Sequence, residues 1–180
     1  TAESTPLGTY TLNLSSAVDG AVSGSVTFTV SETQHVASVG EQNYRSLSAA
    51  IEAAKATSGT VKLLDNVTGS VTVTEGNKFT IDLNGKTWTG ATDARQALTV
   101  SGGEVTLTNS DTANHGRIIY SISTVSTITV AGGTLHLEDG VEIEGSIYIN
   151  DNEYVNSNVT FAPGVIVTKN ISASSRSIAH

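Results

Sequence analysis

Apolar and polar residues alternate with two different periods along this chain, and the change falls near residue 59. Tyr44, Leu47, Ile51 and Ala54 recur at steps of three and four, the spacing that lines one side of a helix. Ser46 stands where a hydroxyl caps a first turn, and the neighbouring alanines favour helix. The pattern predicts a helix over about 46–57, ended by Gly59. From residue 60 onward the period is two, in Val61/Leu63, Val71/Val73 and Ile81/Leu83, as in strands that turn one face inward. One helix followed only by strands predicts an all-β chain whose exposed end is covered by that helix.

The strands repeat one another. LTVSGGEVTL (98–107) superimposes on ITVAGGTLHL (128–137), with Gly102-Gly103 and Gly132-Gly133 at the same place. Glycine pairs between strands mark corners where φ turns positive or backbones crowd. Val61/Leu63, Ile81/Leu83, Leu98/Val100, Ile128/Val130, Ile147/Ile149 and Val165/Val167 align as one column, spaced by 20, 17, 30, 19 and 18 residues. That alignment predicts a parallel β-helix of about six rungs, right-handed by the general crossover preference. Val105/Leu107 and Leu135/Leu137 form a second column, with Trp88 taking the equivalent place after Gly85. The 30-residue spacing leaves Thr108–Tyr120 as an excursion outside the rung.

Residues 1–34 read as a short β-hairpin, with strands Thr9–Leu14 and Ser25–Val30 and a loop holding Asp19-Gly20. Two readings are open: the end of an immunoglobulin-like module, or a hairpin packed on the strands that follow. Residues 35–180 are expected to form the β-helix with its capping helix, and Val36–Val39 a short strand leading into it.

The run YRSLSAAIEAA, followed by TVKLLDNV and FTIDLNGKTWTG, resembles the pectate-lyase-like, right-handed parallel β-helix repeat domains of secreted and wall-attached proteins of gut and other Gram-positive bacteria. The resemblance is closest over residues 36–90 and diffuses into generic β-helix rungs up to about residue 170. It implies an extracellular, cell-surface protein. It leaves function open, because such domains occur in adhesins and, as a wider architecture, in polysaccharide lyases and hydrolases.

Charge and composition narrow the partners. Nine basic residues against 17 acidic give a net charge of −8, so nothing draws the chain to nucleic acid or anionic membrane. No apolar run approaches the roughly 20 residues of a membrane-spanning helix. Cysteine is absent, which excludes disulfides and thiolate metal sites. Methionine is also absent, and a chain beginning at Thr1 is expected to be a monomeric segment of a longer protein, with any signal or anchor outside it. Serine and threonine supply 48 of 180 residues, a weakly charged surface suited to exposed strands.

Any chemistry on this architecture would come from the outward positions of the strands. Hydrolysis on this architecture needs two carboxyl groups roughly 5–9 Å apart. The outward residues of the aligned pairs are Lys62, Asp82, Thr99, Thr129, Tyr148 and Ile166, with one carboxylate among them, read as an ion pair with Lys62. Within LEDGVEIEG, Asp139, Glu142 and Glu144 could form half of a calcium site, since Val141 and Ile143 take the other side of the strand. Asp111, His115, Arg117 and Tyr120, with His136 nearby, could hold a sugar acid or move a proton. Outward threonine pairs such as Thr72/Thr74, Thr106/Thr108 and Thr127/Thr129 fall on different columns, which weakens any ice-binding array. Tyr148, Tyr154 and Tyr120 are too few for a sugar-stacking platform. The expectation is a non-enzymatic structural or adhesive module that engages a host or cell-wall glycan or protein and needs no cofactor beyond a candidate Ca2+. The alternative is a glycan-binding or polysaccharide-cleaving domain.

Overall fold

A computed structural model describes residues 8–14, 24–30, 34–120, 122, 125–151 and 156–174. The chain divides into two compact units, residues 1–34 and 35–180. Tyr154, named above among the surface aromatics, and the Asp19-Gly20 turn lie outside the described residues.

In the first unit, β1 (Gly8–Leu14) pairs antiparallel with β2 (Gly24–Val30). Tyr10 stands opposite Phe28 with ring centroids 5.7 Å apart, and Leu12 stands opposite Val26. Thr9/Thr29 and Thr11/Thr27 line the other side. The hairpin matches the sequence expectation to within one residue at each strand start.

The second unit opens with β3 (Ala37–Val39) and β4 (Gln42–Tyr44), an antiparallel pair, and then α1 (Leu47–Thr57). Ser46 caps α1 by accepting the Ala49 N–H at 3.3 Å. Ser58 takes a left-handed φ of 51°, and the Gly59 N–H closes the end on the Ala54 carbonyl at 3.0 Å. Leu47, Ala50, Ile51 and Ala54 form its buried face, as the three- and four-residue spacing required.

Five circuits of three strands follow: β5 (Thr60–Leu63), β6 (Val67–Thr68) and β7 (Val71–Val73); then β8 (Lys78–Asp82), β9 (Thr87–Thr89) and β10 (Leu98–Val100). The third comprises β11 (Glu104–Thr108), β12 (Gly116–Ile119) and β13 (Ile128–Val130). The fourth comprises β14 (Gly133–Leu137), β15 (Val141–Glu144) and β16 (Ile147–Ile149), and the fifth β17 (Ser157–Phe161), β18 (Ile166–Val167) and β19 (Ile171–Ala173). The first strands of all circuits join in one sheet, the second strands in another and the third strands in a third. All pairing between circuits is parallel; only β3, which lies antiparallel on β5 and extends the first sheet, departs from it.

This arrangement corrects the single six-pair column. Val61/Leu63 and Ile81 belong to the first sheet, with Leu83 just past the end of β8, Leu98/Val100, Ile128/Val130 and Ile147/Ile149 to the third, and Val167 to the second. Trp88 is also on the second sheet, between Val67 and Ile118, not in line with Val105. It is fully buried, and its indole N–H donates to the Gly69 carbonyl at 2.7 Å. Residues 116–119 are a strand, so the excursion shrinks to the loop before them. The glycine pairs do stack, at the corner between third and first sheets. A Cβ on Gly133, at φ +75°, would lie 2.4 Å from the Gly103 carbonyl oxygen, so only glycine lets successive corners approach this closely.

The interior is a column of Val, Ile and Leu from all three sheets, with Phe79 and Trp88. Each fully buried aliphatic side chain contributes about 1.5–3 kcal/mol. Among the described residues, no helix is long and apolar enough to cross a membrane.

Candidate functional site

The corner between first and second sheets is built from polar side chains that satisfy turn backbone. Asn84, at φ 47°, donates its side-chain amide to the Leu63 carbonyl at 2.8 Å, one circuit back. The Asn109 side-chain oxygen accepts the Gly85 N–H at 2.7 Å, while its amide donates to the carbonyls of Asp111 and Asn114 at 2.6 and 2.7 Å. Buried Asp82 accepts the N–H groups of Asn84 and Ser110 at 2.9 and 2.8 Å, and Lys62 reaches it only at 4.0 Å. Asparagine at corners thus replaces backbone partners that a bend cannot supply.

Beside this ladder the 109–115 loop and the following corner enclose a cleft of about 420 Å3, lined by Thr108, Asn109, Asp111, Asn114, His115, Glu138 and Asp139 among others. Asp111 fixes the loop. Its carboxylate accepts the Asn114 side-chain amide at 3.1 Å and the backbone N–H groups of Ala113 and Asn114 at 2.8 and 3.1 Å. The Asn114 amide above all, then those N–H groups, hold its carboxyl below the usual aspartate range. The loop is ordered by its own aspartate, whose oxygens are thereby engaged.

The remaining predicted residues are dispersed. Arg117, on β12, lies in register with Glu142 and ion-pairs with it at 3.7 Å, and also hydrogen-bonds Glu144. His136, on the outer face of the first sheet, hydrogen-bonds Thr160 through Nδ1 at 2.7 Å and approaches Glu104 at 3.6 Å through Nε2. Tyr120 is buried: its hydroxyl donates to the Ala94 carbonyl, and its ring crowds Gly90. Tyr120 therefore offers no surface to a ligand, a correction to its candidacy. No hydrogen bond or ion pair joins any two of Asp111, His115, Arg117, His136 and Glu138, and only Asp111, His115 and Glu138 line the cleft.

Glu142 and Glu144 do share one side of β15, as the alternation required. The charge they face is the Arg117 guanidinium, whereas Asp139 accepts its neighbour's Gly140 N–H at 2.9 Å. Among the described residues no three His, Cys, Asp or Glu side chains gather to hold a metal.

No match was found among protein families, curated proteins or solved structures. The functional reading therefore rests on geometry.

Register exposes one pair the sequence reading missed. Lys78 and Glu104 are cross-strand partners on the first sheet, 2.9 Å apart, and the Lys78 hydrogen bond holds the Glu104 carboxyl below its usual range. Finding it required the 26-residue offset between β8 and β11. Asn109 and Asn114 are cleft walls as well, and an asparagine near a bend carries no sequence signal beyond that of a turn residue.

Proposed function

We propose that residues 35–180 form a right-handed parallel β-helix acting as a non-enzymatic structural and adhesive module of an extracellular bacterial surface protein. Five circuits through three parallel sheets support the coil, and the crossover preference supports its hand. The observation that carries the non-enzymatic reading is the pairing of outer carboxylates. On the strands of the five circuits, Asp82 faces Lys62, Glu104 faces Lys78, and Glu142 and Glu144 face Arg117. Acid–base hydrolysis needs one carboxylic acid and one carboxylate held apart across a bond, and a cation beside a carboxyl group favours its ionised form, so these pairs do not supply the acid.

A second reading has its own support. The cleft at 108–115 and 138–140 is polar, concave and large enough for a sugar residue, so display could include binding a host or cell-wall glycan. A glycan array together with a lyase and hydrolase screen tests both. The expected outcome is no turnover of any polysaccharide, with any binding weakened by Asn114→Ala and His115→Ala. Turnover lost on substituting Asp111 or Glu138 would overturn the non-enzymatic reading.

A further inference from the structure

Three circuits turn from the first sheet to the second through a residue and a glycine: Asn84-Gly85, Asp139-Gly140 and Pro163-Gly164, with the glycines at φ +69°, +77° and +88°. In Asn-Gly and Asp-Gly the main-chain nitrogen is well placed to attack the preceding side chain, because glycine has no Cβ to shield it. One of these two turns is locked against that reaction and the other is set up for it.

At the first turn both partners are held apart. The Asn84 amide donates to the Leu63 carbonyl at 2.8 Å, and its oxygen accepts the Ser110 hydroxyl at 3.2 Å. The Gly85 N–H points away, to the Asn109 side-chain oxygen at 2.7 Å. At the second turn the Asp139 carboxylate accepts the N–H of Gly140 itself at 2.9 Å. The nitrogen is therefore at most one carbon–oxygen bond length further from the carboxyl carbon it would attack. Asp139 is exposed, and among the described residues no cation pairs with it. Gly164, one circuit on, leaves room for its carboxylate, which a Cβ there would strike. Asp65 makes the same contact with the Asn66 N–H at 2.7 Å, but there the nitrogen belongs to a residue with a side chain.

We propose that Asp139-Gly140 isomerises spontaneously in the folded protein, a covalent modification that slowly remodels the cleft at 108–115 and 138–140. The Gly140 nitrogen bonds to the carbon of the protonated Asp139 carboxyl group. The carboxyl hydroxyl leaves with the amide proton as water, and a succinimide ring closes. Water then reopens the ring at either carbonyl, restoring aspartate or routing the main chain through the former side-chain carbon. The sum is an isomer of the starting chain, with water as the only co-reactant. The rerouted corner gains a main-chain carbon beside Gly140, whose carbonyl accepts the Gly116 N–H at 2.9 Å. Asp139 and Gly140 both line the cleft, so its wall loosens where β12 begins.

Ageing the full 180-residue chain at about pH 5, where ordinary aspartates carry a share of their protons, tests this. Incubation runs for several weeks at body temperature in water enriched in heavy oxygen, with circular dichroism confirming the fold. Isoaspartate is labelled by an isoaspartate-specific methyltransferase and located by fragment mass spectrometry. The expected result is isoaspartate and one heavy oxygen at residue 139, formed severalfold faster than at Asp65, with the Asn84 amide intact. The same chain held unfolded in denaturant should instead lose the Asn84 amide first. Asp139→Glu, which cannot close a succinimide, should abolish the label, and Asp139→Asn should convert to acid with loss of ammonia. Hydrogen exchange at the Gly116 amide should quicken in the aged protein and not in aged Asp139→Glu. Conversion of folded Asn84 as fast as Asp139, or of Asp139 no faster than Asp65, would overturn the proposal. Isoaspartate at 139 with Gly116 still protected would overturn the loosening of the cleft. None of these results touches the display function, which the glycan and turnover screens decide separately.

Discussion

Leu137 and Phe161 occupy the same inward position on neighbouring strands of one sheet, yet Leu137 is 1% exposed and Phe161 41%. The difference comes from what lies beyond each: Leu137 has a circuit on both sides, Phe161 on one. Truncation should therefore cost unequal amounts. Leu137→Ala, which opens a cavity in the closed core, is expected to lose about 3 kcal/mol, and Phe161→Ala about 1 kcal/mol despite removing more atoms. Denaturant unfolding at low protein concentration measures both, and equal losses would mean that the last circuit is covered.

Gly133 and Gly76 share a positive φ, +75° and +81°, but not their surroundings. A Cβ on Gly76 meets nothing within 4 Å, whereas one on Gly133 strikes the Gly103 carbonyl. Gly76→Ala should cost only the left-handed strain, about 1 kcal/mol. Gly133→Ala adds backbone displacement between circuits and should cost about 3 kcal/mol or more. Thermal unfolding of the two variants separates conformational strain from the stacking requirement.

How far the sequence could be read follows from which signals differ between faces. Period-two alternation separates inside from outside, so Leu98, Ile128 and Ile147 align correctly. It cannot tell one sheet from another, because all three bury Val, Ile and Leu. β6 and β12 hold too few inward aliphatic residues to register as alternating pairs, so their sheet shows in the sequence only at Val141/Ile143, and Trp88 was misplaced. Tyr120 was within reach, since Gly116, Ile118 and Tyr120 alternate inward. Arg117 was not: its place beside Glu142 depends on a 25-residue offset that only the coordinates fix.

Arg117 separates two carboxylates on one strand, and this sets the outcome of removing it. Arg117→Met leaves Glu142 and Glu144 facing each other across a partly exposed surface. The expected loss is about 1 kcal/mol, reduced by added salt. Adding Glu142→Gln and Glu144→Gln should recover most of it. If the triple variant is as unstable as Arg117→Met, packing of the arginine stem, rather than charge, is what matters.

The 109–115 loop should open in acid. Asp111 titrates lower in the folded chain than in the unfolded one, because the Asn114 amide and two backbone N–H groups favour its ionised form. Its hydrogen bonds therefore add stability at every pH above the unfolded aspartate value, about 4. That contribution is lost as pH falls through the lower folded value. Limited proteolysis of the loop, or hydrogen exchange at the Ala113 and Asn114 amides, should show faster opening near pH 3 than near pH 7, with the strands unchanged. Asp111→Ala should open the loop at neutral pH. Asp111→Asn keeps an uncharged acceptor and should show little dependence on pH across that range. A wild-type loop equally protected at both pH values would place its order in the Asn109 bonds to the carbonyls of residues 111 and 114 rather than in the Asp111 carboxylate.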